Sequence, residues 1–122
     1  MTIMSSGVGI DIVEIAEIKK RLDDKFVKRV LSTSEYKKYK TISHVDRKIA
    51  FVAGRFAAKE AYTKAYGSFE TEVNFSDVSI DQNSEGIPIL TSKYRPKDVS
   101  QVSISHSARY ATAMVILYKK DH

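Results

Sequence analysis

The chain has 122 residues, of which 43% are hydrophobic and 29% are charged, and its formal net charge is +5. This size suits one folded domain over residues 1–122, and no apolar run reaches the roughly 20 residues of a membrane span. The sequence contains no cysteine, which excludes disulfides and thiolate metal sites, and we expect a cytoplasmic protein because the start also lacks the features of a signal peptide.

A short strand is predicted at residues 8–13. Alternation places Val8, Ile10 and Ile12 on one side and Asp11 with Val13 on the other. Asp11 is therefore a carboxylate in apolar surroundings.

Three short helices are predicted next. Their apolar positions are Ile15, Ile18 and Leu22 in the first, Phe26, Val30 and Leu31 in the second, and Tyr36 and Tyr39 in the third. Thr33 or Ser34 is expected to cap the third helix.

A long helix is predicted over about residues 46–66, with Gly67 as its terminator. At about 3.6 residues per turn, Ile49, Ala53, Phe56 and Glu60 fall on one stripe of this helix. Glu60 continues an apolar line that should face a core. A carboxylate in that position needs a partner, because its transfer from water to an apolar surface is costly.

The second half is typical of antiparallel strands. Alternation predicts strands at residues 73–80, 87–90, 102–106 and 110–118, with a turn at 83–86, Pro88 at a sheet edge and a loop at 95–97. One strand, a helical first half and a later antiparallel sheet together predict an α+β domain.

Asp11 and Glu60 form a candidate magnesium site if they converge. Magnesium uses one or two carboxylates and completes its coordination with water and substrate phosphates. From the residues alone two other interpretations remain open. Asp11 can be a turn or capping residue, and Glu60 can form an ion pair with Lys64 one helical turn later.

Positive charge is concentrated in residues 19–64, which contain 14 of the 20 cations and five anions and so carry a net charge of +9. This pattern indicates an anionic partner, which can be a phosphorylated ligand, an acidic protein or nucleic acid. A solvated helical face is the alternative.

Lys48, Arg55 and Lys59 share a second stripe of the long helix, beside that of Glu60. Phosphates lying across both stripes would explain the cations, since Arg offers bidentate geometry and Lys a point charge. His106 ends a strand where an imidazole can donate to phosphate. A basic solvated face and a surface turn histidine remain the alternatives.

Four segments together resemble the 4′-phosphopantetheinyl transferase family, in its small holo-[acyl-carrier-protein] synthase class. They are Gly9-Ile10-Asp11-Ile12-Val13-Glu14, Arg29-Val30-Leu31-Ser32-Thr33-Ser34-Glu35, the run from Phe51 through Gly54-Arg55-Phe56-Ala57-Ala58-Lys59-Glu60-Ala61, and Val102-Ser103-Ile104-Ser105-His106-Ser107. The resemblance covers nearly the whole chain and implies the fold of that family.

The resemblance implies transfer of 4′-phosphopantetheine from coenzyme A to a serine of acyl carrier protein, in fatty acid biosynthesis. It implies magnesium bound by Asp11 and Glu60, and a homotrimer with active sites between subunits. The residues that it places against coenzyme A are Arg47, Lys48, Arg55, Lys59, Lys64, His106 and Ser107. Those that it assigns to carrier-protein docking are Lys19, Lys20, Arg21 and Lys28.

The proposed chemistry needs a base for the serine proton, and Glu60 or a water held by Glu60 or Asp11 is the candidate. Residues 67–73 contain one glycine where the family often has a glycine-rich loop, so no coenzyme A contact is transferred to them. Two other functions fit the charge: a nucleic-acid-binding domain that uses Tyr36, Tyr39 and Tyr62 for stacking, and a non-catalytic domain that binds acidic proteins. Neither explains two carboxylates in apolar settings.

Overall fold

The computed structural model describes residues 2–67, 72–94 and 99–121. Its strands are β1 (Thr2–Glu14), β2 (Val78–Gln82), β3 (Pro88–Ser92), β4 (Val99–His106) and β5 (Tyr110–Asp121). Its α-helices are α1 (Ile15–Arg21), α2 (Asp24–Val30), α3 (Thr33–Thr41) and α4 (Val45–Tyr66), and a short 3₁₀ turn covers Phe75–Asp77. The predicted α+β class is confirmed, because the helices precede antiparallel strands.

The described strands form two sheets. β1, β5 and β4 are antiparallel neighbours in that order, and β2 pairs with β3 in a separate hairpin. β5 lies in the centre of the larger sheet, so β1 and β4 are its edges. Side chains of β1 and β4 are therefore separated by β5 and lie at opposite edges of the sheet.

Helix α4 packs on one face of the larger sheet through small side chains. Ala57, Ala61 and Ala65 are buried against Val115 and Leu117 of β5. Short side chains let the helix axis lie close to the strands, which places its flanking polar residues beside the sheet.

A second cluster covers the first half of α4. Ile18 of α1 and Phe26, Val27 and Val30 of α2 are buried against residues that include Ile49. Each fully buried aliphatic side chain contributes about 1.5–3 kcal/mol to folding. The first two helices are thereby fixed across the face of α4 that carries the predicted apolar stripe.

The ends of the helices follow local chemistry. Gly67 ends α4 in the left-handed conformation at φ 66°, as predicted. The predicted cap of α3 was wrong by one residue or more: Ser32 is the cap, and its side chain and that of Glu35 form a reciprocal capping box.

Two other sequence predictions need correction. The first strand is longer than residues 8–13, because β1 pairs with β5 from Thr2 onward. The alternation at residues 73–80 predicted one strand, but Phe75–Asp77 forms a 3₁₀ turn and pairing starts at Val78. The predicted loop at 95–97 lies outside the described residues.

Candidate active site

Two glycines of β1 allow α4 to approach the sheet edge. A Cβ atom at Gly9 would lie 1.8 Å from the carbonyl oxygen of Ala61, and one at Gly7 would lie 1.8 Å from that of Ala65. No side chain fits these positions, so the helix backbone lies directly against the strand. The next inward-facing position of β1 is Asp11, which therefore lies beside the second half of α4.

Asp11 contacts a cation from α4. The Lys64 ammonium donates to the Ile10 carbonyl oxygen at 3.0 Å and to Asp11 Oδ1 at 3.3 Å. The open interpretation that paired Lys64 with Glu60 is thus replaced by a pair with Asp11 across the strand–helix contact. Lys64 is more than half exposed, so this ion pair is weak and can be exchanged.

Glu60 shares this region with Asp11. Burial raises the pKa of the Glu60 carboxyl above its ordinary value, and the negative charge of Asp11 raises it further, while Lys64 and Arg21 act in the opposite direction. The two carboxylates are thus like charges close enough to interact, and Lys64 is the cation that pairs with Asp11. The predicted magnesium site at Asp11 and Glu60 stays a prediction, and the electrostatic interaction of the two carboxylates is consistent with it.

The carboxylate pair has the chemistry of a magnesium site. Both donors are hard oxygens, and magnesium needs one or two carboxylates because water and substrate phosphates supply its other ligands. Among the described residues, no group of three or more His, Cys, Asp or Glu side chains could hold a metal. The residues therefore fit magnesium better than a metal that requires a complete protein cage.

A basic pocket lies between α4 and β4, at the edge of the sheet opposite to β1. It has a volume of about 350 Å³, and its lining includes Arg47, Phe51, Arg55, Ile104 and His106. An adjoining pocket of about 700 Å³ is lined in part by Lys19, Arg47, His106 and Ser107. The structure thus brings together four of the residues that the resemblance placed against coenzyme A: Arg47, Arg55, His106 and Ser107.

His106 and Ser107 lie at the end of β4, where the chain turns into β5. The Ser107 hydroxyl accepts hydrogen bonds from the backbone N–H groups of Arg109 at 3.3 Å and Tyr110 at 3.2 Å. These bonds fix the turn, and the exposed His106 ring stands at its start.

The predicted basic stripe of Lys48, Arg55 and Lys59 does not form an open surface. Lys59 is fully buried, and its ammonium bonds to Glu35 at 2.5 Å. The Lys48 ammonium lies 4.5 Å from the centroid of the Tyr39 ring. Phosphates were predicted to lie across this stripe and that of Glu60, but of these three residues only Arg55 lines the basic pocket.

Arg55 is held on several sides. Its guanidinium carbon lies 4.0 Å from the centroid of the Phe51 ring, and Nη2 donates to the Ile80 carbonyl oxygen at 3.2 Å. Its Nε lies 3.9 Å from Glu35 Oε2. Burial lowers the pKa of the guanidinium, and Glu35 and Asp81 oppose that effect. Such fixed cations suit phosphate recognition.

Glu35 ends one of the four segments that carry the family resemblance, but no role was predicted for it. The signal that could have found it is Ser32 followed three residues later by a glutamate, which predicts a capping box but not burial. Its contacts with Lys59 and Ile80 come from α4 and β2. Contacts at this distance along the chain have no local sequence pattern.

The proposed docking residues lie on α1 and α2. Lys20 pairs with Glu17 at 3.2 Å, and Lys28 pairs with Asp24 at 3.1 Å; all four side chains are exposed. Arg21 differs, because its guanidinium carbon lies 4.5 Å from the Phe26 ring centroid. The positive charge of Arg21 also lowers the pKa of the Glu60 carboxyl.

Comparison with known proteins defines the class of this chain. The sequence model of the 4′-phosphopantetheinyl transferase superfamily matches residues 7–115, and the chain belongs to this superfamily. The predicted family is thereby confirmed.

Similar proteins within the superfamily carry a more specific name. Holo-[acyl-carrier-protein] synthase of Anoxybacillus flavithermus is 47% identical over 118 residues, which cover 93% of this chain and 96% of that protein. The same-named protein of Oceanobacillus iheyensis is 39% identical over 120 residues, which cover 97% and 100%.

A solved structure is also similar. The holo-(acyl-carrier-protein) synthase from Bacillus anthracis, crystallised in complex with CoA (3′,5′-ADP), has a TM-score of 0.87 and 42% sequence identity. The match covers 96% of this chain and 99% of that chain. The predicted family fold is therefore confirmed over nearly the whole chain.

Proposed function

We propose that this protein transfers 4′-phosphopantetheine from coenzyme A to a serine of apo acyl carrier protein and releases adenosine 3′,5′-bisphosphate. The serine oxygen forms a bond to the β-phosphorus, the bond between that phosphorus and the bridging oxygen breaks, and the serine proton is taken up by a base. This transfer serves fatty acid biosynthesis in the cytoplasm, a compartment that suits a chain without cysteine.

The position of Asp11 on β1 beside α4, close enough for its charge to act on Glu60, is the observation that carries the proposal. Gly9 lets α4 approach β1, the strand that carries Asp11, and the negative charge of Asp11 raises the pKa of the Glu60 carboxyl. Relatives that span nearly the whole chain are named holo-[acyl-carrier-protein] synthase, which supports the same activity. A nucleic-acid-binding domain would not need this carboxylate pair.

Asp11 and Glu60 would hold magnesium. When bound, magnesium supplies charge neutralisation and orientation for the pyrophosphate of coenzyme A. The proposed base for the serine proton is Glu60 or a water held by Glu60 or Asp11. Asp11 contributes by fixing Lys64 on the same side of the site.

The basic pocket would hold the phosphates of coenzyme A. Arg55 and Arg47 supply guanidinium groups, and His106 and Ser107 stand where the adjoining pocket opens. Lys64 adds positive charge beside Asp11, and Lys48, which lies against the Tyr39 ring, adds positive charge on α4 next to Arg47. Lys59 enters this proposal as a buried neighbour of Arg55, because its ammonium is used by Glu35.

The acidic carrier protein would dock on α1 and α2. Lys19, Lys20 and Lys28 are exposed there, and Arg21 connects this surface to Glu60. Long-range attraction between opposite charges would raise the rate of encounter more than the affinity.

We further propose that the protein works as a homotrimer with active sites between subunits. Val8, Ile10 and Ile12 of β1 are 59–64% exposed on the face of the sheet that α4 does not cover. An apolar surface of this kind suits an interface between copies. The carboxylate pair lies at the β1 edge and the basic pocket at the β4 edge. Contact between the β1 edge of one copy and the β4 edge of another would therefore bring a carboxylate pair and a basic pocket together.

The test is a mass measurement on apo acyl carrier protein incubated with the enzyme, coenzyme A and magnesium. A mass gain equal to phosphopantetheine that depends on magnesium is the expected result. Asp11→Asn and Glu60→Gln should abolish the gain, whereas Glu85→Gln in the exposed β2–β3 turn should retain it. Near wild-type transfer by both carboxylate variants would overturn the assignment.

The nucleic-acid alternative is tested with the same protein. Salt-sensitive binding to single-stranded DNA or RNA, together with no mass gain on the carrier, would favour that function instead. Binding to the carrier without a mass gain would favour a non-catalytic docking domain.

A further inference from the structure

Glu35 is a buried acid that the proposed reaction does not use. The residue is 1% exposed. Its carboxylate accepts hydrogen bonds from the backbone N–H groups of Ser32 and Ile80, each at 2.8 Å. Lys59 donates to the same carboxylate, and Arg55 Nε lies 3.9 Å away. One carboxylate therefore faces two cations inside the protein.

The two cations differ in how they are used. Lys59 also donates to the carbonyl oxygens of Val30 at 2.7 Å and Phe75 at 3.0 Å, so its three donors are all engaged. Burial lowers the pKa of the Lys59 ammonium, and the charge and hydrogen bond of Glu35 oppose that effect. Lys59 thus neutralises Glu35, and the positive charge of Arg55 remains available.

Arg55 has donors left for a ligand. Among the described residues its one hydrogen bond runs from Nη2 to the Ile80 carbonyl oxygen, while Phe51 covers a face of the guanidinium. The Nε atom is buried without a hydrogen-bond partner in the described part of the chain. Arg55 lines both the basic pocket and a second pocket that Glu35 also lines.

We propose that Glu35 is a positioning residue: its carboxylate holds Arg55 in the orientation in which the guanidinium binds a phosphate group of coenzyme A. The proposal rests on the proposed function for the identity of the ligand. The Glu35 carboxylate attracts Nε of Arg55. Both residues also bind the backbone of Ile80, because Glu35 accepts from its N–H and Arg55 donates to its carbonyl oxygen. The rotamer of a long flexible side chain is thereby chosen before the ligand arrives, which reduces the entropy lost on binding.

The test is a double-mutant cycle between Glu35→Gln and Arg55→Met, read by calorimetric titration with adenosine 3′,5′-bisphosphate. Glu35→Gln should weaken binding by about tenfold in the wild-type background and should have little further effect once Arg55 is methionine. In the transfer assay Glu35→Gln should raise the KM for coenzyme A more than it lowers kcat. Equal losses in both backgrounds, or no loss in either, would overturn the proposal.

A second variant separates positioning from stability. Glu35→Gln leaves the Lys59 charge buried, so Glu35→Gln with Lys59→Met replaces the ion pair by neutral side chains and should recover the folded protein. Nucleotide binding should remain weak in this double variant, because Arg55 still lacks its carboxylate. Recovery of binding together with stability would show a structural role alone and would refute the proposal.

Two controls complete the experiment. Val27→Ala destabilises the buried α2 contact without touching Glu35 or Arg55, so it should lower stability and leave nucleotide affinity unchanged. The titration needs neither carrier protein nor magnesium. Absence of transfer by the wild type would therefore refute the proposed function, while the coupling between Glu35 and Arg55 in anion binding would still be measured.

Discussion

Gly9 and Ala61 are in direct backbone contact: a Cβ atom at Gly9 would stand 1.8 Å from the Ala61 carbonyl oxygen. This contact sets the distance between β1 and α4 and therefore the distance between Asp11 and Glu60. Any side chain at position 9 must push the helix away from the strand.

Gly9→Ala should therefore destabilise the protein and weaken its response to magnesium. We expect a loss of about 3 kcal/mol in the free energy of unfolding, at the upper end of overpacking effects, because the obstacle is backbone.

Gly54→Ala is the matched control. Its added Cβ meets the Ile104 Cγ2 methyl at 3.1 Å and, among the described residues, no backbone atom of another element within that distance, and alanine favours a helix, so its effect should stay within about 1 kcal/mol. Denaturant unfolding with and without magnesium measures both, and a tolerated Gly9→Ala would contradict the contact.

Glu60 should make metal-free stability fall as pH rises. Its folded pKa is raised above the ordinary value of 4.5, mainly by burial and then by Asp11. Below that ordinary value the carboxyl is protonated in both folded and unfolded states and costs nothing. As the pH rises through the folded pKa, the folded state must carry a charge that the unfolded state carries more easily, so stability declines to a plateau.

The measurement is the stability of the wild type minus that of Glu60→Gln as a function of pH, which cancels the other titrating groups. This difference should decrease from below pH 4.5 to neutral pH. Magnesium should restore stability at neutral pH in the wild type and not in Glu60→Gln. A difference that increases with pH would mean that Glu60 is paired with a cation and not repelled by Asp11.

Much of this arrangement follows from local patterns. The predicted stripe was confirmed in part, because Ile49 and Ala53 are buried while Phe56 and Glu60 are half-buried, and Gly67 correctly marked the helix end. Alternation in β1 correctly separated Asp11 from its neighbours Ile10 and Ile12. These features depend on a few adjacent turns or pleats, which a periodic pattern records.

The position of Lys59 could not be predicted in the same way. A stripe of cations predicts a basic face, but the ion pair with Glu35 depends on how α3 crosses α4. The 3₁₀ turn at Phe75–Asp77 likewise provides the Phe75 carbonyl that Lys59 binds, although the local pattern is that of a strand. Tertiary contacts decide both features, and the sequence pattern contains no record of them.

The carrier-docking surface makes a prediction about rates. Charge reversal by Lys20→Glu with Lys28→Glu should slow association with acyl carrier protein and leave coenzyme A affinity unchanged, because both side chains are well exposed. The effect should shrink at high ionic strength. Lys93→Glu on the distant β3 end is the control and should change neither property. Stopped-flow association and calorimetry distinguish these outcomes, and equal losses in both would count against docking at this surface.

The proposed trimer predicts that Ile10→Lys separates the subunits. Ile10 is 62% exposed in the single chain, so a lysine should leave the fold intact while disrupting an apolar contact between copies. Light scattering should then report a monomer, and transfer should be lost although unfolding remains cooperative. Glu85→Gln, in the exposed turn, should remain assembled and active.

Mixing two inactive variants tests whether each site is shared. Glu60→Gln removes the half-site at the β1 edge, and Arg55→Met removes the half-site at the β4 edge. Suppose that each active site combines these halves from two different copies. An equal mixture with exchanged subunits then contains intact sites, in which the Arg55→Met copy supplies Glu60 and the Glu60→Gln copy supplies Arg55. We expect recovery of about one quarter of wild-type activity, since each half is intact in half of the subunits and the two are chosen independently.

Recovery requires subunit exchange, which isotopic labelling and native mass spectrometry can verify. If exchange is complete and transfer stays absent, both halves must act within one copy, and the edge-to-edge arrangement proposed for the trimer would be wrong.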